Sequence, residues 1–363
     1  MTTRLLSLVV ALMAVSGCRA ERQSVGTHIA ETAPWSRQAA LAVLHRAVES
    51  EDDSLREEAW IHWLDSQDPS AEPLVARAVM DPSPLVQRAL ARHHAPRVGD
   101  GLVSRSAADP VALAWLVLQG FDVPVPPGDL WATLFPALGG EADAQRVLLS
   151  QLRAGQDVLD PGVVEVIASA GIEGMDEALI EGAAQAEAML ADEIRLAALG
   201  LGSARAAKEL LALDAPAELS AWAIEVAVRH PSAEATERLK RFARSSEHSL
   251  SLYARLGLMA LGHGPQSDGI VGLKDSDRDT RAWAATCIRY SRMDRAVLRD
   301  EIALLQGSTR DESSRVRVES VKTLVELVGV ESVPLKPPSM SQEPGHAETI
   351  LAAGWLSKFG AVE

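Results

Sequence analysis

The chain has 363 residues, of which 47% are hydrophobic, 23% are charged and two are cysteines, and its formal net charge at pH 7 is −15. This composition excludes a disordered or collagen-like chain and a small fold held together by disulfides. The acidic excess also argues against a nucleic-acid partner, because such a surface repels phosphates and offers few cations to displace their counterions.

The first seventeen residues have the layout of a bacterial export signal. Arg4 precedes a mostly apolar run of about eleven residues, too short for a membrane-spanning helix, which needs about 20. The segment Val15-Ser16-Gly17-Cys18 then resembles the lipobox of bacterial lipoproteins. The resemblance implies a leader at 1–17 that is cleaved and a lipid anchor at Cys18. The alternative is an ordinary signal peptide that releases a soluble secreted product.

The chain after the leader predicts a tether followed by many amphipathic helices. Residues 18–33 are polar and aperiodic, whereas from Pro34 onward apolar residues recur at helical spacing. Asp52 or Asp53 can cap the second of these helices. No run of alternating residues predicts a strand, so we expect an all-α fold. Cys287 lies in one of the helical runs and is expected to be a buried, unreactive side chain.

The helices repeat with a period of roughly 30 residues. Several of them share an arginine that is followed three residues later by alanine or serine. This motif begins at Arg56, Arg88, Arg195, Arg281 and Arg317. In the segments 81–90, 273–285 and 310–321 an acidic turn also precedes the motif.

These segments resemble HEAT repeats of the bacterial, lyase-associated type. The resemblance implies a right-handed α-solenoid of helical hairpins, with about 8 to 10 units over residues 34–333. In such a unit the acidic residue caps a helix, and the arginine can reach an acidic turn of the adjacent unit. The spacing is irregular at about 97–190, where the register stays open.

The two ends of the array are expected to be covered by single helices. The helix at 34–49 is the expected N-terminal cap. Residues 334–345 predict a proline-rich linker, and 346–363 predict one more helix with an apolar stripe at Trp355 and Phe359. We expect this last helix to dock back as a C-terminal cap.

Patterns typical of metal sites and active sites are incomplete or missing in the sequence. The acidic run from Asp275 through Asp277 to Asp279 resembles an EF-hand loop, but Thr280 and Thr286 replace the required glycine and glutamate. The sequence has no His-Glu-x-x-His, no nucleophile elbow and no glycine-rich phosphate loop. We therefore expect a protein that is not an enzyme and has no cofactor or metal.

Two features are candidate partner-binding surfaces. Trp131 follows a proline-rich loop and could be a surface aromatic, although most tryptophans of the chain, such as those at 60, 63, 115, 222 and 283, are expected in the core. The second feature is a basic cluster, which could contact an acidic partner or lipid headgroups or could simply be a solvated helix face. This cluster consists of Arg238, Lys240, Arg241 and Arg244.

The HEAT resemblance implies a non-catalytic scaffold that binds a protein or peptide. With the lipobox, it places the chain in the bacterial cell envelope, facing the periplasm. Arg19 lacks the acidic signal that retains some lipoproteins at the inner membrane, which favours the outer membrane. The alternative is an enzyme or metal-binding accessory factor with a site in the irregular middle region, where His93 and His94 could hold a metal. At a helix end before Pro96, these imidazoles are expected instead to meet the last carbonyls.

Overall fold

The computed structural model describes residues 35–105, 108–154, 161–186, 231–291, 298–338 and 342–359, with single positions between 191 and 229. Every regular element in these residues is a helix, so the all-α prediction is confirmed for them. The leader, Cys18 and the tether lie outside the described residues. Among the helices that are described, none has both the length and the apolar character needed to cross a bilayer.

The α-helices are numbered in chain order over the described residues. They are α1 Arg37–Ala47, α2 Asp53–Asp65, α3 Val75–Val79, α4 Pro84–Val103, α5 Pro110–Leu118, α6 Asp129–Leu138, α7 Ala142–Arg153, α8 Pro161–Ser169, α9 Met175–Ala183, α10 Ala233–Phe242, α11 His248–Ala260, α12 Ser267–Leu273, α13 Arg278–Tyr290, α14 Arg299–Ser308, α15 Ser314–Leu327 and α16 His346–Phe359. Short 3₁₀ helices cover Pro69–Leu74 and Val330–Ser332.

The helices belong to two compact units. Helices α5–α9 fall within residues 99–203, which we call the insert unit. The remaining unit combines residues 33–98 with 204–363, and we call it the two-segment unit. The boundary at Gly99 lies close to the start of the region where the sequence repeats lose their spacing.

Stacked hairpins form the two-segment unit. Helices α10, α12 and α14 each pack against the helix that follows them, giving three successive hairpins. Their second helices, α11, α13 and α15, pack side by side in one layer. The layer continues with α16 on α15 and with α2 on α16.

Helix α16 contacts helices from both chain segments of the two-segment unit. Helix α16 packs against α15 on one side and against α1 and α2 on the other. Helix α16 therefore lies between the hairpin of α14 and α15 and the helices α1 and α2. The N-terminal helix α1, expected as a cap, packs mainly on α16.

Local capping follows the sequence prediction. Asp52, rather than Asp53, caps α2 by accepting hydrogen bonds from the backbone of Ser54 and Leu55. At α13, Asp277 accepts from the backbone N–H of Thr280 at 2.8 Å. Each cap satisfies donors that a helix N-terminus otherwise leaves without partners.

Tryptophans and close backbone contacts fix the packing of the layer. Four of the tryptophans expected in the core are buried, which confirms the prediction for positions 60, 63, 115 and 283. The fifth, at 222, lies outside the described residues. Trp283 of α13 stacks on Tyr253 of α11 with ring centroids 5.4 Å apart, and its indole N–H donates to the Tyr253 carbonyl at 3.0 Å. Burying a large apolar side chain of this kind contributes about 2–3 kcal/mol.

The insert unit is held by pairs of shorter helices. Helix α7 packs against α6 and α9, and α5 packs against α6 and α8. Gly182 of α9 lies so close to the Leu152 carbonyl of α7 that a Cβ at this position would clash with the backbone. The unit therefore depends on glycine where α7 and α9 approach each other.

Candidate functional site

A row of charged side chains crosses the helix layer of the two-segment unit. Its members include both signs of charge, and most of them come from neighbouring helices of the layer. This charge row consists of Glu225, Arg315, Arg289, Glu319, Lys322, Glu58 and His346. Because charged side chains are rarely buried without partners, their pairing determines which helices can be neighbours.

The centre of the charge row is a buried ion pair between α13 and α15. Arg289 Nη2 lies 2.9 Å from Glu319 Oε2, and the Thr286 hydroxyl donates to the same oxygen at 3.0 Å. Burial opposes ionisation of Glu319, but Arg289 and Lys322 together with the Thr286 hydroxyl lower its pKa below the ordinary value. The carboxylate is thus charged at neutral pH and holds α13 against α15.

Lys322 links this centre to the far end of the row. Its Nζ lies 4.0 Å from Glu319 Oε1 and 3.7 Å from Glu58 Oε1 on α2. Glu58 also accepts a hydrogen bond from Nδ1 of His346, the first residue of α16. Despite its burial, Glu58 has a lowered pKa because His346, His62 and Lys322 surround it with donors and positive charge. One carboxylate therefore joins α2, α15 and α16.

At the opposite end of the charge row, Glu225 makes longer contacts with its partners than Glu319 does at the centre. Glu225 accepts a hydrogen bond from the Tyr253 hydroxyl at 3.4 Å, and its carboxylate lies 3.8 Å from Arg315 Nη2. Burial raises the pKa of Glu225 above its ordinary value, although Arg315 and Arg229 oppose the shift. Arg315 makes its closer contact with Asp279, at 3.0 Å.

A second set of arginines links the turns at the start of the layer helices. Arg281 donates from Nε and Nη2 to both carboxylate oxygens of Asp311, each at 2.9 Å, and from Nη1 to the carbonyls of Asp275 and Ser276. Arg56 makes the same kind of contact with Asp81, at 3.0 Å from Nε. The prediction that this arginine reaches an adjacent acidic turn is confirmed at both positions.

The backbone half of this arrangement recurs at a third arginine. Arg56, Arg281 and Arg317 each donate to the carbonyls of the residues six and five positions earlier in the chain. In each case those carbonyls belong to the turn that leads into the arginine's own helix. A charged donor thereby ties the turn to the helix, in place of a backbone hydrogen bond.

The acidic run before α13 is a capping turn, as the sequence analysis favoured. Asp277 caps the helix, Asp275 accepts from the Asp277 backbone N–H at 2.8 Å, and Asp279 pairs with Arg315. All three carboxylates have structural partners. Within the described residues, no group of three or more His, Cys, Asp or Glu side chains is arranged to hold a metal ion.

The expectation that the histidine pair meets the last carbonyls of its own helix is wrong for His94. The helix end expected before Pro96 is present as a break within α4, where His94 has non-helical φ −130° and ψ 23° and a second helical stretch follows. Pro96 explains the break, because it lacks the N–H that would bond to Arg92 and its ring crowds that carbonyl. His94 is buried and its Nε2 lies 3.1 Å from the carbonyl of Ile61 on α2. The ring therefore bridges two helices. Burial lowers the pKa of His93 to about 4.

The residues predicted to contact partners are not brought together as one site. Trp131, on α6 of the insert unit, is half-buried and meets Phe135 edge-on at 5.9 Å. The basic cluster belongs to α10 and the turn after it in the two-segment unit, where Lys240 pairs with Glu237 at 2.7 Å. Arg241 and Arg244 are exposed.

Of the two cysteines, one lies within the described residues. Cys287 is fully buried, which confirms the burial expected for it, and this burial raises the pKa of its thiol well above the ordinary value. Cys18 lies outside the described residues.

The charge row was missed by the sequence analysis. A signal was present on α15, where Glu319 stands three residues after buried Val316, in the stripe of residues that faces the core. A charge within an apolar stripe predicts a buried partner. The partner itself could not be identified, because Arg289 lies 30 positions away.

No protein-family model matches the chain, and no curated protein matches its sequence.

Proposed function

We propose that the chain is a non-catalytic scaffold of HEAT-like repeats that binds a protein or peptide partner. The observation that carries the proposal is the recurrence of one contact. Arg281 and Arg56, from motifs that are alike in sequence, each hold the turn before their own helix and a carboxylate of the adjacent turn. The same contact made twice from the same motif supports a repeat array rather than an irregular bundle.

The finer architecture is part of the proposal. The array is a right-handed α-solenoid of about 8 to 10 hairpins, because hairpins that shield only their neighbours extend by stacking. Support comes from the side-by-side packing of α11, α13 and α15 and from the hairpins to which they belong. Such an array presents helix faces repeated along its length, which suits a long partner segment better than a small molecule.

The proposed partner contacts are Trp131 and the basic cluster of α10. Trp131 combines a large apolar surface with partial exposure, a combination found at binding surfaces. In a chain with a net charge of −15, Arg241 and Arg244 offer an exposed positive site to an acidic partner. Each contact is proposed separately, since the two belong to different units.

The proposed location is the bacterial cell envelope, with the protein facing the periplasm from a lipid anchor at Cys18, in the outer membrane. The lipobox-like Val15-Ser16-Gly17-Cys18 supports the anchor. Full-length protein should carry a lipid mass on its N-terminal fragment and should sediment with membranes. Cys18→Ala should lose both, whereas Cys287→Ala, the matched control, should keep both. Recovery of Cys18→Ala in the membrane fraction would contradict the anchor.

The scaffold itself is tested by chemical crosslinking in intact cells, followed by purification and mass spectrometry. We expect one or a few proteins to be captured repeatedly. Trp131→Ala or the pair Arg241→Glu and Arg244→Glu should weaken capture. The controls are Val147→Ala and Lys274→Glu, exposed changes elsewhere in the same units. Capture that is unchanged in both test variants would exclude these contacts, and turnover of a substrate by the purified protein would overturn the non-catalytic assignment.

A further inference from the structure

We propose that residues 333–338 and 342–345, together with α16, form a proton-dependent clasp that joins the two chain segments of the two-segment unit and loosens in alkaline solution. The switch is the ion pair between His346 and Glu58. This device concerns the closure of the unit and does not depend on any partner.

The clasp is first a set of hydrogen bonds donated by side chains of the N-terminal segment. Trp35 donates from its indole N–H to the carbonyl of Leu335 at 2.7 Å. Arg46 donates to the carbonyls of Gln342 and Pro338 at 2.6 Å and 3.3 Å. The Ser50 hydroxyl donates to the carboxylate of Glu343. Residues almost 300 positions apart in the chain are thus held together directly.

Because it is rich in proline, this segment depends on other parts of the protein for hydrogen-bond partners. Proline has no N–H and fixes the backbone in an extended form, so the segment cannot stabilise itself by internal helical hydrogen bonds. Its carbonyls remain free to accept from Trp35 and Arg46. Helix α16 follows the segment directly in the chain. Its buried apolar residues lie between α15 on one side and α1 and α2 on the other. These residues include Ala347, Ile350, Leu351, Ala353 and Leu356.

His346 occupies the junction between the extended segment and α16. Its Nδ1 donates to Glu58, and its Nε2 lies 3.4 Å from the Ser54 hydroxyl and 3.9 Å from Asp52 Oδ2. About a third of the side chain is exposed, so solvent protons can reach it. Every one of these contacts is to α2 or to its N-cap residue Asp52, almost 300 positions earlier in the chain.

Charged groups that act on His346 come from the N-terminal end and body of α2 and from α15. Helix α2 contributes Glu58 and Asp52, with His62 beside Glu58 at 3.8 Å. From α15 comes Lys322, which opposes protonation. On α1, Arg46 is engaged with the extended segment, and on α16 itself Glu348 accepts from the backbone N–H of Gly345 at 3.1 Å. The carboxylates of Glu58 and Asp52 outweigh Lys322 and favour the protonated form of His346.

The direction of the effect follows from these groups. Burial opposes the charge on His346, but Glu58 and Asp52 raise its pKa above the ordinary value of 6.5. A histidine whose pKa is raised on folding contributes stability that is complete below its unfolded pKa and is lost as the pH rises through the folded value. Glu58 keeps its charge in mild acid because its pKa is lowered. The clasp is therefore tight at mildly acidic pH and weakens in alkali.

Hydrogen exchange on the full-length protein measures the opening of α16. After correction for intrinsic rates, protection of 346–359 should fall several-fold between about pH 6 and about pH 9, a range that spans the titration of a histidine with a raised pKa. Protection of α13, in the middle of the layer, should change less. An equal change in both helices would overturn the proposal, since it would mean global destabilisation.

Three variants identify the titrating group. His346→Gln should remove the pH dependence of α16 protection and leave it near the alkaline level of the wild type. His62→Gln, the neighbouring histidine, and His248→Gln, an exposed one, should keep the wild-type profile. A profile unchanged in His346→Gln, or abolished in His62→Gln, would contradict the assignment.

An NMR titration of the wild-type imidazoles does not depend on any variant folding. The His346 signal should titrate above about 6.5, the ordinary value of an exposed histidine. In Glu58→Gln its midpoint should move to lower pH. A wild-type midpoint at or below the ordinary value would overturn the proposal.

Discussion

Arg289 of α13 and Glu319 of α15 form an ion pair in which both side chains are more than nine-tenths buried, with Nη2 2.9 Å from Oε2. Thr286 completes the pair by donating its hydroxyl to the same carboxylate oxygen. Such a pair recovers little net stability over an apolar contact, because both charges lose their hydration. We therefore expect the pair to act mainly on specificity, by favouring one register of α13 against α15.

Removal of one member of this pair should be costly. Glu319→Leu leaves Arg289 charged and buried, so the free energy of unfolding should fall by about 3–5 kcal/mol. The double variant Arg289→Met with Glu319→Leu should lose less than either single variant. Urea denaturation of all four proteins gives the coupling energy. Additive losses from the two substitutions would contradict a direct pair.

The acid side of the stability profile should also depend on Glu319. Its pKa is lowered in the folded protein, so its stabilisation is present above the ordinary value of 4.5 and is lost as the pH falls through the folded value. Glu319→Gln should therefore show a flatter dependence of melting temperature on pH below about 4.5. The control is Glu312→Gln, whose side chain is 92% exposed and which should retain the wild-type slope.

Arg281 should contribute measurably to the free energy of unfolding, because its side chain is mostly buried and its guanidinium makes several hydrogen bonds at once. Arg281→Ala removes two hydrogen bonds to Asp311 and two to backbone carbonyls, and we expect a loss of about 1–3 kcal/mol. Arg281→Lys should recover only part, because lysine cannot bind both carboxylate oxygens and the carbonyls together. Arg278→Ala, on the exposed first residue of the same helix, should change stability by less than about 0.5 kcal/mol. Equal losses at the two positions would show that the fork has no special role.

A glycine at a helix contact should tolerate no side chain. At Gly272 of α12, an added Cβ would lie 2.7 Å from the Cβ of Ala284 and 2.9 Å from Leu256. Gly272→Ala should therefore destabilise the protein by about 1–3 kcal/mol. Gly307→Ala, in a helix where an added Cβ meets nothing, should instead stabilise by about 0.5–1 kcal/mol. Thermal unfolding distinguishes the two, and a stabilised Gly272→Ala would contradict the packing of α12 on α13.

The thiol of Cys287 should report unfolding. It is fully buried and its pKa is raised, so a thiol reagent should modify it only when the layer opens. The experiment uses the Cys18→Ser background, which leaves one thiol. Labelling should be slow in buffer and should accelerate in step with denaturant-induced unfolding. Rapid labelling of the native protein would contradict the burial.

The sequence predicted local features better than distant contacts. The cap at Asp52 and the burial of Trp60 and Trp283 follow from residue type and helical spacing within one turn or one helix. The reach of Arg281 to Asp311 was also predictable, because a repeat of known period specifies which turn is adjacent. All of these predictions use information that is present within roughly 30 residues of chain.

The contacts that were missed join segments far apart in the sequence. The pairing of His346 with Glu58 depends on where α16 docks, which no local pattern specifies. The helix end expected before Pro96 is present as a break in α4, but the contact of His94 with the Ile61 carbonyl joins residues 33 positions apart and was missed. The periodicity of apolar residues predicts which face of a helix is buried. It does not predict which helices are neighbours, because that depends on packing in the folded chain.

The arrangement of the two-segment unit has a consequence for biosynthesis. Helices α1 and α2 are synthesised well before α16, which supplies the surface that they pack against. Until α16 has emerged, their apolar faces lack this native partner, so the two helices must remain in a non-native or protected form. Truncations that remove α16 should therefore disturb α1 and α2 as much as they disturb α15.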